Sequence, residues 1–258
     1  MDDLAALITV ARWLKASADQ SVSPDEVVDA LPLVDLVRNA TDDDSDGNRE
    51  SVALLAARMA QQRSLVRLVV ATPGQPGPWA PSREILMQAI AAGGAIIIDS
   101  PSLILIPAPR EPGQRGADPA GWGQETRWRF VAHAVAADVH AVTDISTSRR
   151  QLMRLLREST ETLTQLDIAS GRDRVEATLH LHTAGVVLDP PGERPEASEL
   201  VALALRVLAI IDAARRDPGG AVGGSAQRLR LDALAPLADA AREALMACIN
   251  DEVQPHDQ

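Results

Sequence analysis

Apolar residues repeat at helical spacing at both ends of the chain and gather into short strand-like blocks in its middle. Leu4, Leu7, Ile8, Ala11 and Leu14 fall on one face of a helix over residues 2–17. A second helix has a complete start signal, with Ser23 as cap, Pro24 in its first turn and Glu26 three residues on. Val22 and Val27 stand where a hydrophobic staple would close over that start, and the helix should end before Pro32. An acidic stretch, Asp42 to Gly47, leads to a third helix over about 49–62.

The period then changes. LVRLVVA (65–71) reads as a strand, and Pro81 should open a helix that Gly93 and Gly94 end. AIIIDSPSLILIP (95–107) is two nearly all-apolar runs around Asp99-Ser100-Pro101-Ser102. It predicts an antiparallel hairpin buried on both faces. After a long Gly/Pro loop (109–125), TRWRFVAHAVA (126–136) reads as a strand. In it Trp128, Phe130, Ala132 and Ala134 alternate with Arg127, Arg129, Val131 and His133.

The remainder is mostly helical. Helices are expected over 147–167 and 196–216, the second with Leu200, Leu203, Ala204, Val207, Leu208 and Ile211 inward. Residues 172–184 alternate like a strand but have helical flanks, and we read them as helix. DPGGAVGGS (217–225) is a connector, and Pro236 should kink or restart the last helix, 226–250.

Helices, a strand–helix–hairpin–strand block and more helices predict an α+β chain. Its sheet would be small and mainly antiparallel, with four strands at about 64–71, 94–99, 102–108 and 126–136. We expect an N-terminal region of helices and sheet (1–145), a C-terminal helical region (146–251) and a disordered tail (252–258).

Composition narrows the chemistry. The chain has 258 residues and a net charge of -11, which works against general nucleic-acid binding. Of its 25 basic residues only Lys15 is lysine, so 24 are arginine; small basic patches are offered by Arg127–Arg129, Arg149–Arg150 and Arg215–Arg216. Tyrosine is absent, and Phe130 is the one phenylalanine. No P-loop motif occurs, no lysine lies outside the first helix for Schiff-base chemistry, and no cysteine pair is available for structural zinc. A single cysteine, Cys248, suits a reducing cytoplasm. The acidic first residues argue against a signal peptide, and no apolar run approaches a membrane span. No cofactor motif is found, so no cofactor is expected.

RWRFVAHAV and the helix RRQLMRLLRESTETLTQLDIA after it, with ALRVLAIIDAARRDPGG and LDALAPLADAAREALMACIN, resemble a family of uncharacterised actinobacterial proteins. The resemblance covers roughly residues 90–250. It implies a source and no activity.

Three candidate sites stand beside plainer readings. Asp42, Asp44, Asp46 and Gly47 match the start of a calcium loop, but Ala53 occupies the place of the bidentate Glu. The plainer reading is an exposed acidic loop before a helix. His180 and His182, with His133 and His140 and the carboxylates Asp138 and Asp144, could hold a transition metal for hydrolysis, whereas lone histidines on amphipathic segments are usually structural. Trp122, with Arg127 and Arg129 on the neighbouring strand, could form a rim for an anion or a partner; alternatively Trp122 folds back onto the sheet. Apolar helical faces outweigh recognisable chemistry. The expected function is therefore a non-enzymatic interaction or scaffold protein, bound to a protein partner or to a second copy. The alternatives are a metal-assisted hydrolase and a small-anion binder.

Overall fold

The computed structural model describes residues 2–31, 34–38, 49–74, 79–108, 128–134, 144–165, 189–216 and 224–251. These form an α+β protein with seven helices and six strands. The chain divides into two compact units. One holds residues 6–140 and 187–192, the other residues 1–5, 141–186 and 193–258.

The sheet lies in the first unit. Its strands are β1 (Val34–Arg38), β2 (Arg49–Glu50), β3 (Val66–Val69), β4 (Ala95–Ile98), β5 (Leu103–Pro107) and β6 (Trp128–His133). Their order is β2-β1-β6-β5-β4-β3. β3 to β6 are the four expected strands, all antiparallel to their neighbours. The sheet is larger than the sequence predicted. β1 pairs with β6 in parallel, Val34 opposite Trp128 through Arg38 opposite Ala132, and β2 pairs antiparallel with β1. The sheet is therefore mixed, and β2 occupies residues expected to begin the third helix.

The hairpin of β4 and β5 is buried along its whole length, as Ile-rich strands covered on both faces should be. In its turn the Ser100–Pro101 peptide is cis. Asp99 Oδ1 accepts a hydrogen bond from Leu65 N at 2.7 Å, which ties the turn to the start of β3.

Helix α4 (Arg83–Ala92) packs on β5. Ile85 and Ala89 join Val69, Ala95, Ile97, Ile104, Ile106 and Trp79 in one apolar cluster. Its cap is Ser82, whose Oγ accepts from Ile85 N at 3.3 Å, so the helix starts just after Pro81. Gly93 ends it at φ +85°, a conformation that costs glycine nothing. Gly94 is required for a different reason. A Cβ there would lie 2.4 Å from Val69 O and 2.7 Å from a Leu7 methyl, so only hydrogen fits.

α1 (Asp2–Ala18) is more buried than an amphipathic helix: beyond Leu7, Ile8 and Leu14, it also buries Val10, Trp13 and even Arg12. Arg12 Nη1 lies 2.8 Å from Asp189 Oδ1, giving the buried guanidinium its counter-charge. α2 (Pro24–Ala30) has the expected capping box, with Ser23 and Glu26 bonding each other's backbone N–H groups. α3 (Val52–Gln62) packs on α2 and touches β1. Hydrogen bonds from Ser17 Oγ to Ala56 O and from Gln20 Nε2 to Ala60 O join α1 to α3.

Among the described residues the second unit holds the helices α5 (Ile145–Gln165), α6 (Pro195–Arg216) and α7 (Gly224–Asn250), with α7 packed against both others. α7 runs through Pro236 as one helix, so of the expected kink or restart the restart does not occur. Its alanines 238, 240, 241, 244 and 247 are buried and allow close approach of its neighbours. Among the described residues no helix is long and apolar enough to cross a membrane. The readings of the loop at 109–125, the stretch 172–184, the connector at 217–223 and the tail 252–258 lie outside the described residues.

Candidate functional site

Among the described residues two surfaces collect polar side chains, one in each unit. The first grows from β6. Because side chains alternate along a strand, Arg129, Val131 and His133 share one face. That face is the one α4 covers, since His133 stands opposite Ile104 and Val131 opposite Ile106. Asp35 of β1 sits beside Arg129 on the same face.

His133 is half-buried, and its Nε2 lies 3.0 Å from Gln88 Oε1 of α4. One turn back on α4, Gln88 Nε2 faces Glu84 Oε1 at 3.5 Å. A carboxylate only accepts, so the amide nitrogen points to Glu84 and the amide oxygen to the imidazole. The oxygen also only accepts, so His133 Nε2 carries the proton. Nδ1 is then an acceptor in the neutral ring, able to take a proton or bind a cation. Burial pushes the His133 pKa below its ordinary value, and the Glu84 carboxylate opposes that shift.

The second surface is the outer face of α5. Ile145, Ser148, Leu152 and Ser159 are buried, and Ser159 Oγ donates to Ala233 O of α7 at 3.2 Å. Arg150, Arg154 and Arg157 follow one another at helical spacing on the opposite side, all exposed. Arg154 pairs with Glu158 along the helix at 3.3 Å, and Arg150 donates to the hydroxyls of Ser146 and Thr147. Asp144 caps the helix. It accepts from Ser146 Oγ at 2.6 Å and Thr147 N at 3.0 Å, and these bonds hold its carboxyl far below the usual carboxylate range.

The N-terminal domain of the Rv1486c-like protein family matches residues 7–142, and the C-terminal domain matches residues 146–246. The chain belongs to the Rv1486c-like family. This bears out the resemblance to an uncharacterised family drawn from the strand at 126–136 and the helices after it. No curated protein and no solved structure matches the chain.

In this Rv1486c-like chain the residues singled out from the sequence separate. Of the four histidines only His133 is among the described residues; His140, His180 and His182 lie outside them, as do Asp42, Asp44 and Asp46. Among the described residues no three His, Cys, Asp or Glu side chains come together as metal ligands. Asp144, considered as a ligand, caps α5. Of the proposed rim, Arg129 is exposed on β6, while Trp122 and Arg127 lie outside the described residues. Cys248 is buried in α7.

Sequence reasoning missed Gln88 and Glu84, which meet His133 only through packing of α4 on the sheet. It also stopped at Arg149–Arg150. The spacing of Arg150, Arg154 and Arg157 was the signal that could have extended the patch along α5.

Proposed function

We propose that the protein is an interaction protein of the cytoplasm that works by binding an acidic protein surface. One observation carries the reading: α5 sets three arginines on its outer side, directly opposite the side it buries. Arginine presents a rigid fork of donors that fits carboxylates, and it is favoured at protein interfaces. Arg157 forms no ion pair among the described residues, so it is available to a partner. The test has two parts, light scattering of the purified protein and capture of partners from lysate. Capture by the native chain that is lost in an Arg154→Glu, Arg157→Glu chain supports the reading. A strict monomer that retains nothing sinks it.

The His133–Gln88–Glu84 array favours a second reading, a hydrolytic site in which His133 Nδ1 takes a proton or holds a metal. A thermal shift on adding zinc, manganese or iron, lost in His133→Ala, supports it; no shift with any of the three removes the metal-assisted form. The exposed Arg129 leaves an anion-binding variant, which tryptophan fluorescence against a panel of anions would test.

A further inference from the structure

We infer that the acidic surface bound by α5 belongs to a second copy of this chain, and that it is the outer face of α2. The inference rests on the interaction reading above and names its partner. α2 exposes Asp25, Asp29 and, between them on the same side, Val28. Glu26 is turned to the capping box and stands apart from this face. Residues four apart on a helix lie about 5–6 Å from each other. Asp25 and Asp29 therefore repeat at the spacing of Arg150 and Arg154, and nearly that of Arg154 and Arg157. The apolar contents match as well. Half-buried Met153 flanks the arginines on α5, as Val28 flanks the carboxylates on α2. α3, which packs on α2, carries a further exposed leucine, Leu54.

The charges are uncommitted on the acidic side. Among the described residues Asp25 and Asp29 form no ion pair. Two helices laid side by side would place two carboxylates and an aliphatic side chain against a ladder of guanidinium groups. Such a contact joins two different surfaces, so two copies can either make it twice in a closed two-fold dimer or add head to tail into a larger assembly.

Net charge sets the salt dependence. Two chains of charge -11 repel at long range, and that repulsion is screened within about 8 Å at 0.15 M salt. Association should rise as salt is first added, then fall when the local pairs are screened in turn. A polyanion such as RNA would meet the same repulsion without the apolar match, which is why the acidic helix is favoured.

Sedimentation velocity from micromolar to millimolar protein tests this, with two charge-reversed chains. One carries Arg150→Glu, Arg154→Glu and Arg157→Glu; the other carries Asp25→Arg and Asp29→Arg. All substituted positions are exposed, and circular dichroism checks that both chains fold. The native chain should self-associate over this range, and each reversed chain alone should associate more than about tenfold more weakly. Mixed together they should associate again, because the native α2 of the first chain meets the native α5 of the second, and the reversed α5 of the first likewise meets the reversed α2 of the second with opposite charge.

Association unchanged by both reversals overturns the surfaces while self-association stands. A native chain that stays monomeric overturns the second copy as partner, and the broader reading survives if arginine-dependent capture from lysate persists. RNA binding that depends on the three arginines, with no change in mass, also overturns it.

Discussion

The β4–β5 hairpin and helix α5 make opposite use of their side chains. Every residue of the two strands is buried, so each one contributes to packing and none faces solvent. α5 buries one side and leaves the other to arginine. The hairpin therefore holds stability with no surface to offer, whereas α5 has a face that can change without disturbing its core. Packing constrains the two regions very differently, and the contrast can be broken or sharpened by mutation.

The largest losses should come from the hairpin and its approach. Ile104, without exposure and set between Ile97 and His133, should cost about 2–5 kcal/mol as Ile104→Ala, measured by urea denaturation. Gly94→Ala drives a methyl against the Val69 carbonyl, and about 1–3 kcal/mol is expected. If either change were neutral, the claim that this region is under complete packing constraint would fail. Ser82→Ala removes the cap of α4 and should cost about 1 kcal/mol.

The next prediction is one of pH. His133 has its folded pKa below the ordinary 6.5, so the unfolded chain binds the proton more readily. Stability should be complete above 6.5 and fall as pH drops from there through the lowered folded value. A His133→Gln chain should lose that slope, and an unchanged slope would show that another group is responsible. The smallest effect belongs to α5: Arg154→Glu should change stability by less than about 0.5 kcal/mol, because the residue is exposed and its ion pair is a surface one. A large loss there would erase the contrast with the hairpin.

The same contrast explains what could be read in advance. The capping box of α2, the hairpin and the glycine stop of α4 are local devices, encoded within a few residues, and each was legible. β1 was not. Its sequence Val-Asp-Leu-Val-Arg is short and half polar, and its parallel partner lies far along the chain, so nothing nearby marks it as a strand. At Pro236 α7 stays one helix, so of the expected kink or restart the restart is overturned, and local propensity alone did not decide it. At the first surface His133 and Arg129 were visible as residue types on a strand, but Gln88 is an ordinary helix residue until α4 docks. At the second, two arginines drew notice and the other two turns of the stripe did not.

The parallel seam between β1 and β6 has a consequence for how the chain is made. Ribosomes deliver the N-terminal half first, at about 5–20 residues per second, so β1 emerges several seconds, on the order of five to twenty, before its neighbour. The meander of β3, β4 and β5 forms from close segments and can assemble as it appears. β1 must wait for residues 128–133, then enter beside the newest strand, closing a large loop of chain as it does so. Until that moment a row of backbone donors and acceptors stands open in the growing polypeptide, and truncation before residue 128 would leave it open for good.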